Sequence, residues 1–310
     1  MKFIFIALLF LVTNSVVSQN LGFLDENLFK VVYNERYGAH KRNTFDIISP
    51  NSENPTSLVI YIHGGGFKHG SKDKLYQNKQ DISFFINHNI SVATLNYRYR
   101  KDNDSIGIKA CINDVKRAIQ FIRFNAAKYN INKNKIACYG NSAGAGMSLY
   151  FALQDDLAIP NNTTLLGEST KISCAGALST QATYDVFKWE EYIPWLPAFV
   201  WFKKTHFFKM AANFYGFKTY ESFEPFRNEI TNSLDMLQMV DKEDPPIYLQ
   251  NLLEDTIPIN NNVIQHHKKH ALVMAEKLDR YQVENYVFTD DNKEEQGQYP
   301  IYMFIAEHLK

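Results

Sequence analysis

The chain has 310 residues, 45% of them apolar and 21% charged, both close to globular averages. Its 33 basic and 33 acidic residues cancel, which excludes the basic excess that nucleic-acid binding requires. A mean hydropathy of −0.31 and a single early apolar run exclude a multi-span membrane protein, and three cysteines exclude a disulfide framework.

Residues 1–18 read MKFIFIALLFLVTNSVVS. Lys2 opens the segment, and the apolar stretch behind it is too short to span a bilayer. Val16 and Ser18 occupy the −3 and −1 positions of a small-residue cleavage site before Gln19. The segment therefore predicts a removed secretory signal, with an N-terminal anchor helix as the alternative. The mature chain, 19–310, is then periplasmic or extracellular, with no membrane span once the signal is removed. Cys111, Cys138 and Cys174 lie in apolar segments and read as inert core thiols.

Strands are predicted over 28–33, 43–49, 58–62 and 92–95, then 136–139, 172–178, 247–249 and 283–288. The run Leu58-Val-Ile-Tyr-Ile62 is continuously apolar and β-branched, the mark of a strand buried on both faces. Helices are predicted around Ile82, Phe85 and Ile86 and over 106–129, 143–153, 261–278 and 300–309. In 106–129, Ile108, Cys111, Ile112, Val115, Ile119 and Ile122 recur at intervals of three and four. At about 150 residues per domain the length allows two domains, but strand and helix alternate so regularly that one α/β unit with a parallel, doubly covered sheet is expected. The aromatic-dense stretch 186–232 breaks this rhythm. It reads either as a cap over a site or as a buried, irregular helix pair without a ligand role.

Two motifs carry chemistry. Gly140-Asn-Ser142-Ala-Gly144 lies between a short apolar strand and a helix. A serine hydroxyl becomes nucleophilic when a sharp strand-to-helix turn presents it to a base, and the crowding of that turn demands glycine on both sides. The helix N-terminus then aims amide N–H groups at developing negative charge. His63-Gly64-Gly65-Gly66-Phe67 follows the 58–62 strand, and consecutive glycines let backbone amides turn inward. Such donors stabilise a tetrahedral oxyanion by about 3–4 kcal/mol each in studied cases. No Gly-Lys-Ser/Thr follows, which excludes a P-loop.

The two motifs, their order and the strands that bear them resemble the α/β-hydrolase fold. Within it the chain is similar to the bacterial esterase/lipase group with an HGGG oxyanion loop, related to hormone-sensitive lipase and carboxylesterases. The resemblance runs from about Asn34 to the C-terminus. It implies Ser142 as nucleophile and Ala143, Gly65 and Gly66 as oxyanion-hole donors. It also implies a bracing pair formed by Asn96-Tyr97-Arg98 and Asp114. The acid position falls on Asp255, in the loop after the 247–249 strand; a plain helix N-cap is the alternative for this residue.

The same resemblance places the base in the loop after the last strand, and there the chain departs from it. Residues 289–298 hold no histidine, and the nearest register match for the expected His-Gly is Gln296-Gly297. A glutamine amide does not titrate in this range. His308 is twelve residues further on, roughly 15 Å along a helix. His266, His267 and His270 read as surface positions on the helix after the acid, His63 as packed beneath the oxyanion loop, and His40 and His88 as remote. His69 and His206 remain as candidates to overhang Ser142. Glu294, Glu295 or Asp291 could substitute only if burial recovered about 3 kcal/mol of lost basicity.

Two functions follow. One is a secreted carboxylic-ester hydrolase acting on small-molecule or saccharide-linked esters, weak for want of its base. The other is a catalytically impaired pseudo-hydrolase that binds a ligand or partner in the former acyl pocket. No metal-ligand spacing or dinucleotide fingerprint is present, so neither function is expected to use a cofactor.

Overall fold

The computed structural model describes residues 21–101, 104, 106–254 and 260–310. The expected signal segment and Asp255 lie outside these residues. Eight strands form one sheet in the order β1-β2-β4-β3-β5-β6-β7-β8. They are β1 (Phe29–Arg36), β2 (Thr44–Pro50), β3 (Thr56–Ile62), β4 (Ile90–Asn96), β5 (Ile131–Asn141), β6 (Ala175–Leu178), β7 (Ile247–Asn251) and β8 (Asn285–Thr289). β1 and β2 are antiparallel to their neighbours, and every pairing from β4 onward through β8 is parallel. All eight expected strands are present, within a few residues at each end.

The apolar run in β3 shows why the sheet must be covered twice. Successive strand residues point to opposite faces. Leu58, Ile60 and Ile62 enter one buried cluster, and Val59 and Tyr61 the other. The first cluster takes the buried stripe of the helix Ile108–Phe124 and the interior of the helix Ala143–Leu153. The second takes the helices Lys79–Asn87 and Ile301–His308. Cys111, Cys138 and Cys174 are buried and free.

The expected helix over 106–129 is divided at Asn125, whose side chain donates to the Phe121 carbonyl at 2.8 Å. A larger departure is at 261–278, which is two helices, Asn261–His266 and Lys269–Arg280. His267 between them is extended (φ −58°, ψ 139°) and bridges to Leu253. Apolar periodicity continues through the break, but pairing with the end of β7 overrides it locally. The segment after β8, expected as a loop, carries the helix Lys293–Gln298 behind a Thr289–Asn292 capping box.

Between β6 and β7 the aromatic insertion folds as short helices, including Leu196–Phe202 and Lys204–Phe214. Phe187 stacks on Phe223 and packs edge-on against Phe207 and Tyr220, with the Arg227 guanidinium 4.1 Å from its ring centre. This insertion lies over the C-terminal ends of the parallel strands, where α/β sheets hold their ligands.

Candidate active site

β5 ends at Asn141 and the next helix begins at Ala143, so the chain reverses at Ser142 alone. Ser142 has φ 53° and ψ −118°, a backbone state that costs a side-chain-bearing residue about 1–3 kcal/mol. Its N–H donates to the Leu178 carbonyl at 2.8 Å, and its carbonyl accepts from Gly146 N at 3.0 Å, which hold the bend. Both flanking glycines are sterically required. A Cβ on Gly144 would stand 1.9 Å from the Ile62 carbonyl oxygen, and one on Gly140 2.5 Å from the same atom.

The triple-glycine loop leaves β3 and lies against this bend. A Cβ on Gly64 would be 2.6 Å from the Asn141 carbonyl oxygen and 3.3 Å from Ser142 Cβ. Gly65, Gly66 and Phe67 have φ of 119°, 56° and 63°, so three successive residues turn left-handed. Gly66 and Phe67 share the cleft lining with Ser142 and Ala143. Ala143 is the first residue of its helix, where backbone N–H groups have no intrahelical acceptor. His63 is buried and stacked on Tyr97 with ring centres 4.3 Å apart, and Tyr97 Oη donates to the His63 carbonyl at 2.9 Å. Burial drives the His63 imidazole down to about 4, so it is neutral and serves packing. Arg98 grips the buried Asp114 carboxylate through Nε at 2.9 Å and a second guanidinium nitrogen at 2.7 Å.

A histidine does meet the serine. His266 Nε2 is 2.8 Å from Ser142 Oγ. Its Nδ1 is 3.0 Å from Asn262 Oδ1, one helical turn earlier, so Nδ1 carries the proton and Nε2 faces the hydroxyl as an acceptor. Asn262 N and Val263 N in turn donate to the Asn260 side chain, the N-cap of this turn. At the other end, Asn251 closes β7 fully buried and donates to the His266 and His267 carbonyls at 3.3 and 3.1 Å. Gln181 Nε2 donates to the Gln265 carbonyl at 2.8 Å. The six-residue helix that bears His266 is thus pinned at both ends. Burial lowers the His266 pKa below the usual 6.5, against a smaller opposing contribution from Asn262.

The surface positions expected for His266, His267 and His270 are therefore corrected. His266 is half-buried against Ser142, and His267 and His270 are fully buried. His270 Nε2 contacts the Ile264 carbonyl at 3.0 Å, and its Nδ1 accepts from Ala182 N. None of the other substitutes reaches the serine. Gln296 is half-buried on the helix Lys293–Gln298 and adjoins Tyr248, whose side chain belongs to the opposite face of the sheet. Glu294 and Glu295 are exposed on the Lys293–Gln298 helix, and Asp291 pairs with Lys268. His308 stands against Phe304 and Glu284. His69 is exposed behind the glycine loop, and His206 lines the cleft from the insertion.

The cleft above Ser142 holds a cavity of about 120 Å3. The insertion contributes Trp189, Phe199, Phe207, Met210 and Phe214 to its wall, so this stretch covers the site as a cap. Arg100 is the one permanent cation among the described lining residues, and no described acidic residue joins it. No cluster of three His, Cys, Asp or Glu with metal-holding geometry occurs among the described residues, and none of their helices is long and apolar enough to cross a membrane.

Comparison with known proteins agrees with this architecture. A carbohydrate esterase from gut microbiota superposes with a TM-score of 0.60 over 92% of this chain and 98% of its own, at 16% identity. A bacterial heroin esterase gives 0.58 over 92% and 86%, at 15% identity. A thermophilic esterase from Thermogutta terrifontis gives 0.58 over 91% and 92%, at 14% identity. Esterase B1 of Culex pipiens is 27% identical over 114 residues, which is 34% of this chain and only a fifth of the curated relative's length. The BD-FAE family model matches residues 45–268, a span that includes the glycine loop, the Ser142 bend and His266. With its eight-stranded α/β-hydrolase fold, the chain belongs to the BD-FAE family of esterase-type hydrolases.

Proposed function

We propose that the protein is a serine carboxylic-ester hydrolase in which Ser142 is the nucleophile and His266 the general base. The 2.8 Å contact between Ser142 Oγ and His266 Nε2 at the mouth of an apolar cleft carries this reading. His266 takes the Oγ proton as the oxygen attacks the ester carbonyl carbon. The negative charge on the carbonyl oxygen is held by the N–H groups of Ala143, Gly65 and Gly66. Collapse breaks the C–O bond to the alcohol, which leaves with the proton returned from His266. A water molecule, deprotonated by His266, then hydrolyses the acyl-enzyme. Asp255 remains the candidate carboxylate for stabilising the imidazolium, beside the Asn262 amide that orients it.

The cap and cleft favour a short acyl or aromatic ester. The names of two structural neighbours, a carbohydrate esterase and an acetyl ester-xyloside bifunctional hydrolase, support a saccharide-linked alcohol as the leaving group. The sequence of residues 1–18 supports export, and the exported chain would begin at Gln19, which mass spectrometry of the mature protein reads directly. The pseudo-hydrolase alternative rests on a histidine-free segment after β8, and the His266 contact with Ser142 favours the hydrolase reading over it.

A fluorophosphonate probe and a chromogenic acetyl ester test the assignment. The wild-type protein should label and turn over, and Ser142→Ala and His266→Ala should each lose both. Absence of labelling in the wild type, or undiminished turnover in folded Ser142→Ala, would reject it.

A further inference from the structure

The cap has a second face. The helix Leu196–Phe202 buries Leu196 and Val200 and gives Phe199 to the cleft, yet its other side is bare. Trp201 and Phe202 are 80% and 81% exposed, and Trp195, at the start of the helix, is 61% exposed. Two of the chain's three tryptophans thus stand in solvent within seven residues of each other. Lone exposed apolar residues are ordinary, but a cluster of large aromatics marks an interaction surface.

The charge around this cluster is one-sided. From Tyr192 to Tyr220 there is no aspartate or glutamate, and the formally charged residues are Lys203, Lys204, Lys209 and Lys218. All four are exposed. The cap tip is thus locally cationic, with its aromatic residues beside Lys203 and Lys204, although the whole insertion 186–232 is near balance because Glu190 and Glu191 precede the tip and Glu221, Glu224 and Glu229 follow it. Bulky aromatics flanked by lysines are the composition that seats a protein at the boundary between headgroups and acyl chains. Each lysine near an anionic surface contributes attraction that salt weakens.

We propose that the cap tip, centred on Trp201, Phe202, Lys203 and Lys204, docks the protein on an anionic lipid surface. A second copy fits this face poorly, because a two-fold contact would bring the same lysines together. A neutral polysaccharide would stack on the aromatics but would leave the lysines without a counter-charge. The tip is continuous with the cleft, since Phe199 and His206, on either side of it in sequence, line the wall above Ser142. Docking would hold the cleft mouth at the interface, where amphiphilic esters concentrate. Surface binding stands independently of the hydrolase reading; only its benefit to turnover rests on that reading.

Flotation of the full mature chain with phosphatidylcholine vesicles, with and without phosphatidylglycerol, tests the inference. The protein should float with the anionic vesicles only, and its tryptophan emission should shift to the blue. Trp201→Ser/Phe202→Ser and Lys203→Glu/Lys204→Glu should each weaken partition by about tenfold or more. Far-UV circular dichroism and hydrolysis of a soluble acetyl ester should be unchanged in both variants. No flotation with either vesicle, or equal flotation of the variants, overturns the proposal. So does concentration-dependent dimerisation, or retention on an insoluble polysaccharide, that the same variants abolish without any vesicle binding. If wild-type ester hydrolysis is absent while vesicle binding persists, the hydrolase reading fails and the docking surface remains.

Discussion

His266 has an electrostatic setting that makes its pH behaviour distinctive. Its described Nδ1 partner is an amide oxygen, which orients the ring without adding the negative charge that would raise its basicity. Burial pushes the pKa below 6.5, so the imidazole is neutral at pH 7 and ready to accept a proton. Because the protonated ring is inactive, kcat/KM should rise through the lowered pKa and be flat from neutral pH upward. The measured acid limb should therefore have its midpoint below 6.5. Asn262→Asp would place a carboxylate beside Nδ1, favour the charged ring and move the limb to higher pH. A pH–rate profile of both proteins checks the direction. An Asn262→Asp midpoint equal to or below that of the wild type would remove Asn262 from this role. A parallel Asp255→Asn profile separates the two candidate partners, since losing a carboxylate would move the limb down.

At the scale of elements, the strand order explains why sequence reasoning located the serine and missed its partner. Ser142 was legible because three local signals coincide: an apolar strand, a helix, and glycines whose Cβ atoms would strike the Ile62 carbonyl. The glycine loop was legible on similar local grounds, whereas the Arg98–Asp114 pair came from the family resemblance alone. His266 gave no comparable signal, because it depends on a helix break that periodicity does not encode. Adjacent strands are about 4.8 Å apart, so a residue leaving β7 starts one strand closer to β5 than a residue leaving β8. A histidine four residues after an asparagine, just beyond a strand near Ser142, was the available clue. The break itself is fixed by Asn251, whose amide also joins Thr180 through N–H···Oδ1 at 2.8 Å and Nδ2–H···O at 2.9 Å. Asn251→Ala leaves these buried groups unpaired, which should cost about 2–4 kcal/mol in denaturant unfolding. Freed from its anchor, His266 should lose alignment, and kcat should fall roughly tenfold to a hundredfold with KM little changed. By contrast, Gln296→His should give no gain in turnover, because Gln296 adjoins Tyr248, which packs on the opposite face of the sheet. A rise in kcat for Gln296→His would mean that the segment after β8 reaches the serine after all.

On the scale of the whole molecule, the half of the sheet that bears the proposed site differs from the half beside β1 and β2. At the ends of β5 to β7 stand strained or polar residues, Ser142, Ser179 with φ 53° and Asn251, of which Ser142 lines the cleft and Asn251 anchors the turn that bears His266. The β1–β2–β4 side instead buries a charged pair, Lys72 Nζ with Asp46. Tyr76 Oη donates to the same carboxylate at 2.9 Å, and Asn34 N donates to its other oxygen at 2.7 Å. Every oxygen of Asp46 is thus engaged, and both charged side chains are almost wholly removed from water. Sequence patterning could not find this pair, since Asp46 and Lys72 are far apart in the chain and each alone reads as a surface residue. Removing one member strands the other, at a cost of about 3–5 kcal/mol. Lys72→Met should accordingly lower the unfolding midpoint by several degrees while kcat/KM per folded molecule stays near wild type. Replacing both, as Lys72→Met with Asp46→Leu, should recover part of the loss, because the uncompensated carboxylate is gone; Asn34 N and Tyr76 Oη would still lack their acceptor. If the double variant were no more stable than Lys72→Met, the cost would lie in those stranded donors and not in the buried charge. If Lys72→Met reduced kcat/KM in proportion to stability, the two halves of the sheet would be coupled, and the division between scaffold and site would have to be redrawn.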